Sequence, residues 1–176
     1  MNETEAAPMR DPDADADHVR GDPAGRLILE YGDYECPYSR RAYGEIRRVE
    51  AALRGAVRVG FRHFPLMQIH PHAIAASAAA EAAALQDRFW EMHDLLFERQ
   101  RALEDDDLRR YAGELGLDVP AFDDARRGSG VLERIRGDVE SGVATGEVRG
   151  TPTLFIDGVV HLGGYDAAGL LEALAR

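Results

Sequence analysis

Hydrophobic and polar positions near the start of the chain predict a strand, a helix and a second strand. Residues 26–31 are mostly apolar and end at Gly32, which is typical of a buried strand. Apolar residues then recur at helical spacing from Pro37 up to Gly55 (Ala42, Ile46, Val49, Leu53). Alternation over 57–62 predicts the second strand. Such a unit favours parallel strands joined by a right-handed connection.

The middle of the chain has the pattern of several helices, and its end returns to strands. Helices are expected at 71–86, 89–97, 108–115, 121–126 and 131–143. Residues 153–156 and 159–162 flank Asp157-Gly158, a strong hairpin signal, and 166–175 has the pattern of a closing helix. The predicted order is β-α-β, a helical block, then β-β-α, which is an α/β fold.

Composition and charge narrow the functional class. The chain has 176 residues and a formal net charge of −11, which argues against nucleic acid as a partner. Residues 1–25 are acidic, have no apolar core of a secretory signal, and are expected to be a disordered tail. The remaining 26–176 are expected to form one domain, with a helical insertion at about 66–147. No membrane span is expected, and a single cysteine suits a reducing, cytoplasmic location.

Cys36 is the main candidate for chemistry. Pro37 is favoured at the first position of a helix, so Cys36 is the expected N-cap. Its sulfur would then lie near unpaired backbone N–H groups and the positive end of the helix dipole, which favour the thiolate. Asp33 and Glu35 oppose this effect unless they point to solvent. Ser39, one turn further, has a hydroxyl that can donate to the thiolate.

A second feature is Thr151-Pro152, directly before a predicted strand. It is either a simple strand start or a cis proline beside the cysteine. This segment, 150–153, is one of five distinctive segments; the others are 30–38, 61–66, 70–73 and 89–97. Together, in this order, they resemble the DsbA-like thioredoxin family, especially the bacterial branch also found behind sodium/proton antiporters. The resemblance runs from about His18 to the C-terminus.

The resemblance implies a thioredoxin fold and thiol–disulfide exchange at the start of the first helix. Cys36 matches the attacking cysteine, and Thr151-Pro152 matches the loop whose backbone pairs with substrate. Pro37 and Tyr38 are the other expected substrate-binding residues. Ser39 stands where the family usually has a second cysteine. The sequence leaves open whether Ser39 is a natural or an engineered replacement.

These residues predict a monothiol oxidoreductase with Cys36 and Ser39 as the catalytic residues. Its partners would be a disulfide-containing protein or a small thiol. No cofactor is expected, apart from glutathione or an equivalent thiol as co-substrate, because one cysteine cannot release its own mixed disulfide.

Two other functions stay open. The chain could be a thioredoxin-fold module that binds a peptide or protein without redox chemistry, or a transferase or isomerase resembling kappa-type glutathione transferases. Metal binding is not expected, because the histidines at 63, 70, 72 and 93 follow no zinc-ligand spacing. Helix starts and core packing are the expected roles of these histidines. The oligomeric state is left undetermined.

Overall fold

The fold is that of a computed structural model, which describes Met9, Asp11, Pro12 and residues 17–176. These residues form five strands and seven helices. The strands are β1 (His18–Gly21), β2 (Arg26–Gly32), β3 (Val57–His63), β4 (Thr153–Ile156) and β5 (Val159–Val160). The helices are α1 (Pro37–Ala52), α2 (Ala73–Ala84), α3 (Phe89–Glu98), α4 (Asp105–Glu114), α5 (Val119–Arg126), α6 (Ser129–Ala144) and α7 (Ala167–Leu174).

The sheet has the order β1-β3-β2-β4-β5. β2 and β3 are parallel, as the strand–helix–strand pattern predicted, and the other neighbouring pairs are antiparallel. The predicted order of elements from β2 to α7 is confirmed. β5, however, ends at Val160, two residues before its predicted end. It lies at the edge of the sheet, where it has one partner strand.

The predicted disordered tail is wrong for residues 17–25. Residues 18–21 form β1, which pairs antiparallel with β3. The carboxylate of Asp17 is buried and forms an ion pair with the guanidinium of Arg62, which fixes this segment against the sheet. Met9 is also buried, and it packs near Leu27 and Phe155. Residues 1–8, 10 and 13–16 of the predicted tail lie outside the described residues.

Apolar side chains cover both faces of the sheet. Ile28 and Val59 pack with residues of α1 and α7 in one cluster, and Leu27, Leu29 and Phe155 form another. A third cluster joins α2, α3, α4 and α5 to Phe61 of β3. In the chain, the five helices α2–α6 lie between β3 and β4. In the fold, they pack against the remainder of the molecule. Among the described residues, no helix combines the length and apolarity needed to cross a bilayer.

Candidate functional site

Cys36 lies at the predicted N-cap of α1. Its backbone is extended, and Pro37 occupies the first helical turn. The N–H of Cys36 donates to the carbonyl of Asp33 at 3.0 Å, which closes a turn between β2 and α1. Because Pro37 has no N–H and a fixed φ, the helix begins directly after the cysteine.

The sulfur of Cys36 faces the Thr151-Pro152 loop. Its thiol donates to the Thr151 carbonyl oxygen at 3.3 Å, and the peptide bond between Thr151 and Pro152 is cis. Cys36 is only 3% exposed. No hydrogen bond from the first-turn N–H groups to the sulfur is present. A carbonyl oxygen accepts and does not donate, so this contact suits the protonated thiol rather than the predicted thiolate.

Ser39 is fully buried, one turn along α1. Its Oγ accepts from the N–H of Asp33 at 3.2 Å. The predicted hydrogen bond from this hydroxyl to the Cys36 sulfur is not present among the described contacts. Ser39 therefore stabilises the turn that carries the cysteine.

The sequence favours a thiolate at Cys36 on the condition that the carboxylates of Asp33 and Glu35 point to solvent. Neither carboxylate does. Asp33 is fully buried and accepts from the N–H of Leu66 at 2.8 Å, and its Oδ2 lies 2.7 Å from Nδ1 of His70. Glu35 accepts from the N–H of His72 at 2.6 Å and lies 2.9 Å from Nδ1 of the same residue. The hydrogen bond to Glu35 raises the pKa of His72. Both pairs join the cysteine turn to the segment before α2.

Gln100 fixes the backbone of the turn from another side. Its Nε2 donates to the carbonyls of Tyr34 and Cys36, at 2.7 and 2.9 Å. The carbonyl of Cys36 also accepts from the N–H of Arg40 in α1. The segment between α3 and α4 thus contributes to the site, which the sequence motifs did not indicate.

Exposed apolar side chains occur on segments joined to this turn. We call Tyr38, Met67 and Ile69 the apolar rim; their exposed fractions are 63%, 58% and 67%. Tyr38 belongs to the first turn of α1, and the other two belong to the segment that Asp33 holds. Pro37 is exposed, and Thr151 and Pro152 are half-buried. Of the four predicted substrate-binding residues, Pro37 and Tyr38 directly follow Cys36 in the chain, and Thr151, which precedes Pro152, accepts a hydrogen bond from the Cys36 thiol.

Glu30 is a candidate functional residue that the sequence reasoning missed. It is 3% exposed, burial raises its pKa to about 8, and Oε1 has no hydrogen-bond partner among the described residues. It lines a small cavity with Ile46 and His93, of about 10 Å³, close to the volume that one water requires. The only available signal was a single carboxylate among the apolar residues that follow Arg26 in the strand.

The histidines have structural surroundings. His18 and His63 both lie within 2.8 Å of Glu81. Burial alone would raise the pKa of Glu81, but the hydrogen bonds to the two histidines outweigh it and hold this pKa well below its usual value. Burial lowers the pKa of His93, whose Nδ1 lies 2.9 Å from the Tyr34 hydroxyl. No group of three or more His, Cys, Asp or Glu side chains suited to a metal occurs in the described part of the chain.

Comparison with known proteins agrees with this arrangement. The family model described as thioredoxin matches residues 13–175. The sodium/proton antiporter NhaA 1 of Mycolicibacterium vanbaalenii is 46% identical over 169 residues, which are 94% of this chain and 27% of that protein. This chain thus spans about a quarter of the length of the curated relatives it matches.

Two solved structures are similar over nearly the whole chain. A thioredoxin-like oxidoreductase from Silicibacter pomeroyi superposes with a TM-score of 0.81 and 26% identity, covering 100% of this chain and 97% of the other. MdbA, a thiol–disulfide oxidoreductase from Corynebacterium diphtheriae, superposes with a TM-score of 0.71 and 21% identity, covering 90% of each chain. The second likeness shows the fold alone.

Proposed function

The chain belongs to the thioredoxin family, and we propose that it is a thiol–disulfide oxidoreductase that reacts through Cys36 alone. The observation that carries the proposal is the position of the sulfur. It lies at the start of α1, 3.3 Å from the carbonyl of Thr151, a residue 115 positions away in the chain. Such a junction between a helix start and a strand start offers both a nucleophile and backbone groups for an extended substrate.

The reaction is an exchange of sulfur–sulfur bonds. The Cys36 sulfur, after losing its proton, attacks one sulfur of a disulfide. The new bond joins Cys36 to that half of the substrate, and the other half leaves and takes up the proton. An outside thiol then attacks the substrate sulfur of the mixed disulfide and releases Cys36. Ser39 cannot perform this second attack, so we assign it as a positioning residue of the turn.

The apolar rim and the Thr151-Pro152 loop are the proposed contacts for a protein substrate. An extended peptide would contact the backbone at Thr151, and apolar side chains next to its disulfide would cover Tyr38, Met67 and Ile69. Because the Cys36 thiol now donates to the Thr151 carbonyl, binding of a peptide backbone there would free the sulfur for attack.

The test is formation of a mixed disulfide by folded protein. Wild-type protein, incubated at neutral pH with hydroxyethyl disulfide, should gain one adduct on Cys36 by mass spectrometry, and Cys36→Ser should gain none. Ser39→Ala should still form the adduct, because its hydroxyl does not contact the sulfur. If Cys36 reacts only after the chain is unfolded in denaturant, the thiol is an inert buried group and the proposal fails.

A second function is favoured by the burial of Cys36. A thiol that is 3% exposed and donates to a carbonyl could be part of a surface that binds peptides without exchange. Peptide affinity distinguishes the two functions. If a peptide with reduced or absent cysteines binds Cys36→Ala as tightly as wild type, and no mixed disulfide forms, the binding module is the correct assignment.

A further inference from the structure

A positively charged pocket adjoins the cysteine turn. Its volume is about 450 Å³, and its lining includes four arginines (Arg40, Arg99, Arg101, Arg110) together with Gln100 and Tyr111. Arg40 belongs to the first turns of α1, Arg110 belongs to α4, and the others lie on or near the segment between α3 and α4. Cys36 itself is not among the lining residues of this pocket, nor of a different pocket of about 560 Å³ beside the C-terminal end of α2.

Two residues that line the 450 Å³ pocket donate hydrogen bonds to the backbone carbonyl of Cys36. Gln100 Nε2 donates to the Cys36 carbonyl at 2.9 Å, and the N–H of Arg40 donates to the same oxygen at 3.1 Å. The pocket is therefore within one helical turn of the residue that carries the sulfur. A ligand whose charged groups bind in the pocket can present its sulfur to Cys36 if a few bonds separate that sulfur from the charged groups.

The positive charge of the pocket is only partly compensated. Arg99 pairs with Glu114 at 2.8 Å, and Arg110 pairs with Asp107 at 2.7 Å. Arg40 and Arg101 are exposed and have no ion pair or side-chain hydrogen bond with any described residue. The lining carboxylate is Glu98, which accepts from the Tyr43 hydroxyl at 3.4 Å. A local excess of guanidinium groups is notable in a chain of net charge −11.

We propose that this pocket binds the carboxylates of an anionic low-molecular-weight thiol, in its free or disulfide form, and directs its sulfur to Cys36. Guanidinium groups bind carboxylates through two parallel hydrogen bonds, and the pocket has the volume of a small-molecule site. The inference rests on the proposed function, since a site with one cysteine depends on an outside thiol to complete its cycle. Arg40 and Arg101 are the groups that recognise the charge.

The step balances with the small thiol and its disulfide as the only reactants besides Cys36. Cys36 attacks a symmetrical disulfide of the small thiol and forms a bond to one half. The other half leaves as a thiol with the proton that Cys36 lost. A second molecule of the small thiol reverses the bond by attacking the sulfur of the bound half, which regenerates the disulfide and the Cys36 thiol.

Three aliphatic disulfides of different charge test the proposal. Glutathione disulfide is anionic, hydroxyethyl disulfide is neutral and cystamine is cationic; the rate of adduct formation on Cys36 is measured for each by mass spectrometry. The net charge of the chain alone would make the cationic reagent fastest. The pocket predicts the reverse order, with glutathione disulfide about tenfold faster than cystamine at low salt, and with the difference reduced at high salt.

Matched double variants assign the effect to the pocket. Arg40→Gln with Arg101→Gln should remove the preference for glutathione disulfide and leave the rate with hydroxyethyl disulfide within about twofold. The control, Arg48→Gln with Arg136→Gln, removes the same charge from exposed positions outside the pocket and should keep the preference. Circular dichroism confirms that each variant is folded.

The possible failures are distinguishable. If none of the three disulfides reacts with folded wild-type protein, the proposed function fails, and the inference fails with it. If all three react with cystamine fastest, or if both double variants behave alike, the exchange function stands and the anion pocket is overturned.

Discussion

Glu30 shows how one buried group sets a pH dependence. In the folded protein its pKa is about 8, whereas the ordinary value is 4.5. Between these values the folded carboxyl keeps its proton while the unfolded one has lost it. Raising the pH across this range therefore favours unfolding, by up to about 1.4 kcal/mol per pH unit for one proton.

Glu30→Gln should remove this contribution. We expect the free energy of unfolding of wild type to fall more steeply between pH 5 and 8 than that of the variant, when both are measured by urea denaturation at several pH values. Comparison of slopes avoids the separate cost of placing an amide in this cavity. Glu133→Gln, at an exposed position, is the control and should keep the wild-type slope. Equal slopes in wild type and Glu30→Gln would show that Glu30 is ionised in the folded state.

Ser39→Cys should convert the site into a dithiol. Position 39 is buried one turn after Cys36, so a second sulfur there lies within the same turn of helix. Mild oxidation should leave no titratable thiol in the folded variant, because the two cysteines form an internal disulfide. The loss of the bond from Asp33 N–H to Ser39 Oγ should cost about 1 kcal/mol.

Ser77→Cys is the matched control for this experiment. Ser77 is equally buried but lies in α2, away from the cysteine turn. After the same oxidation, this variant should keep two thiols measurable under denaturing conditions. Two thiols remaining in Ser39→Cys would contradict the proposed geometry.

Residue-level predictions succeeded where the local chain fixes the geometry. Pro37 alone places Cys36 at the helix start, since proline restricts its own φ and lacks a donor. The contacts of the Asp33 carboxylate with Leu66 and His70 were not predictable in the same way. They depend on how segments more than thirty residues apart pack together, which no local spacing encodes.

At the scale of elements, hydrophobic periodicity predicted β2 to α7 and their order, because each element buries one face. It failed for β1. Residues 18–21 contain one apolar side chain, Val19, and are stabilised by backbone pairing to β3 and by the charges of Asp17 and Arg20. An edge strand of this kind has too little apolar surface to differ from an acidic loop.

The segment before α2 depends on Asp33. Its buried carboxylate accepts from the Leu66 N–H and lies 2.7 Å from His70. Asp33→Asn keeps the shape but removes the charge, so we expect a loss of about 2–4 kcal/mol in the free energy of unfolding. Hydrogen exchange at the Leu66 amide should accelerate by more than global destabilisation explains.

Asp106→Asn provides the reference for this prediction. Asp106 is an exposed residue at the start of α4 with no described side-chain partner, so its change should stay within about 0.5 kcal/mol. If Asp33→Asn behaves like Asp106→Asn, the carboxylate does not hold the segment in place.

At the scale of the whole molecule, a buried polar network joins the start of the described domain to three distant elements. Arg62 of β3 donates to both oxygens of Asp17 at 2.9 Å and to the Tyr31 hydroxyl of β2 at 2.8 Å. The Tyr31 hydroxyl in turn lies 2.9 Å from Ser141 Oγ in α6. No local sequence pattern indicates this network, because its members are spread over more than a hundred residues.

Asp17→Asn tests whether this network stabilises the domain. The side chains of Asp17 and Arg62 are both fully buried, and the substitution removes the carboxylate charge that pairs with the guanidinium at 2.9 Å. A loss of about 3–5 kcal/mol is expected from urea unfolding, whereas Asp11→Asn, an exposed change in the same acidic region, should have little effect. Equal unfolding midpoints for the two variants would mean that the pair is energetically neutral. The charge of residue 17 would then be dispensable for stability, and β1 would be held by its backbone pairing with β3 and by the ion pair between Arg20 and Glu50.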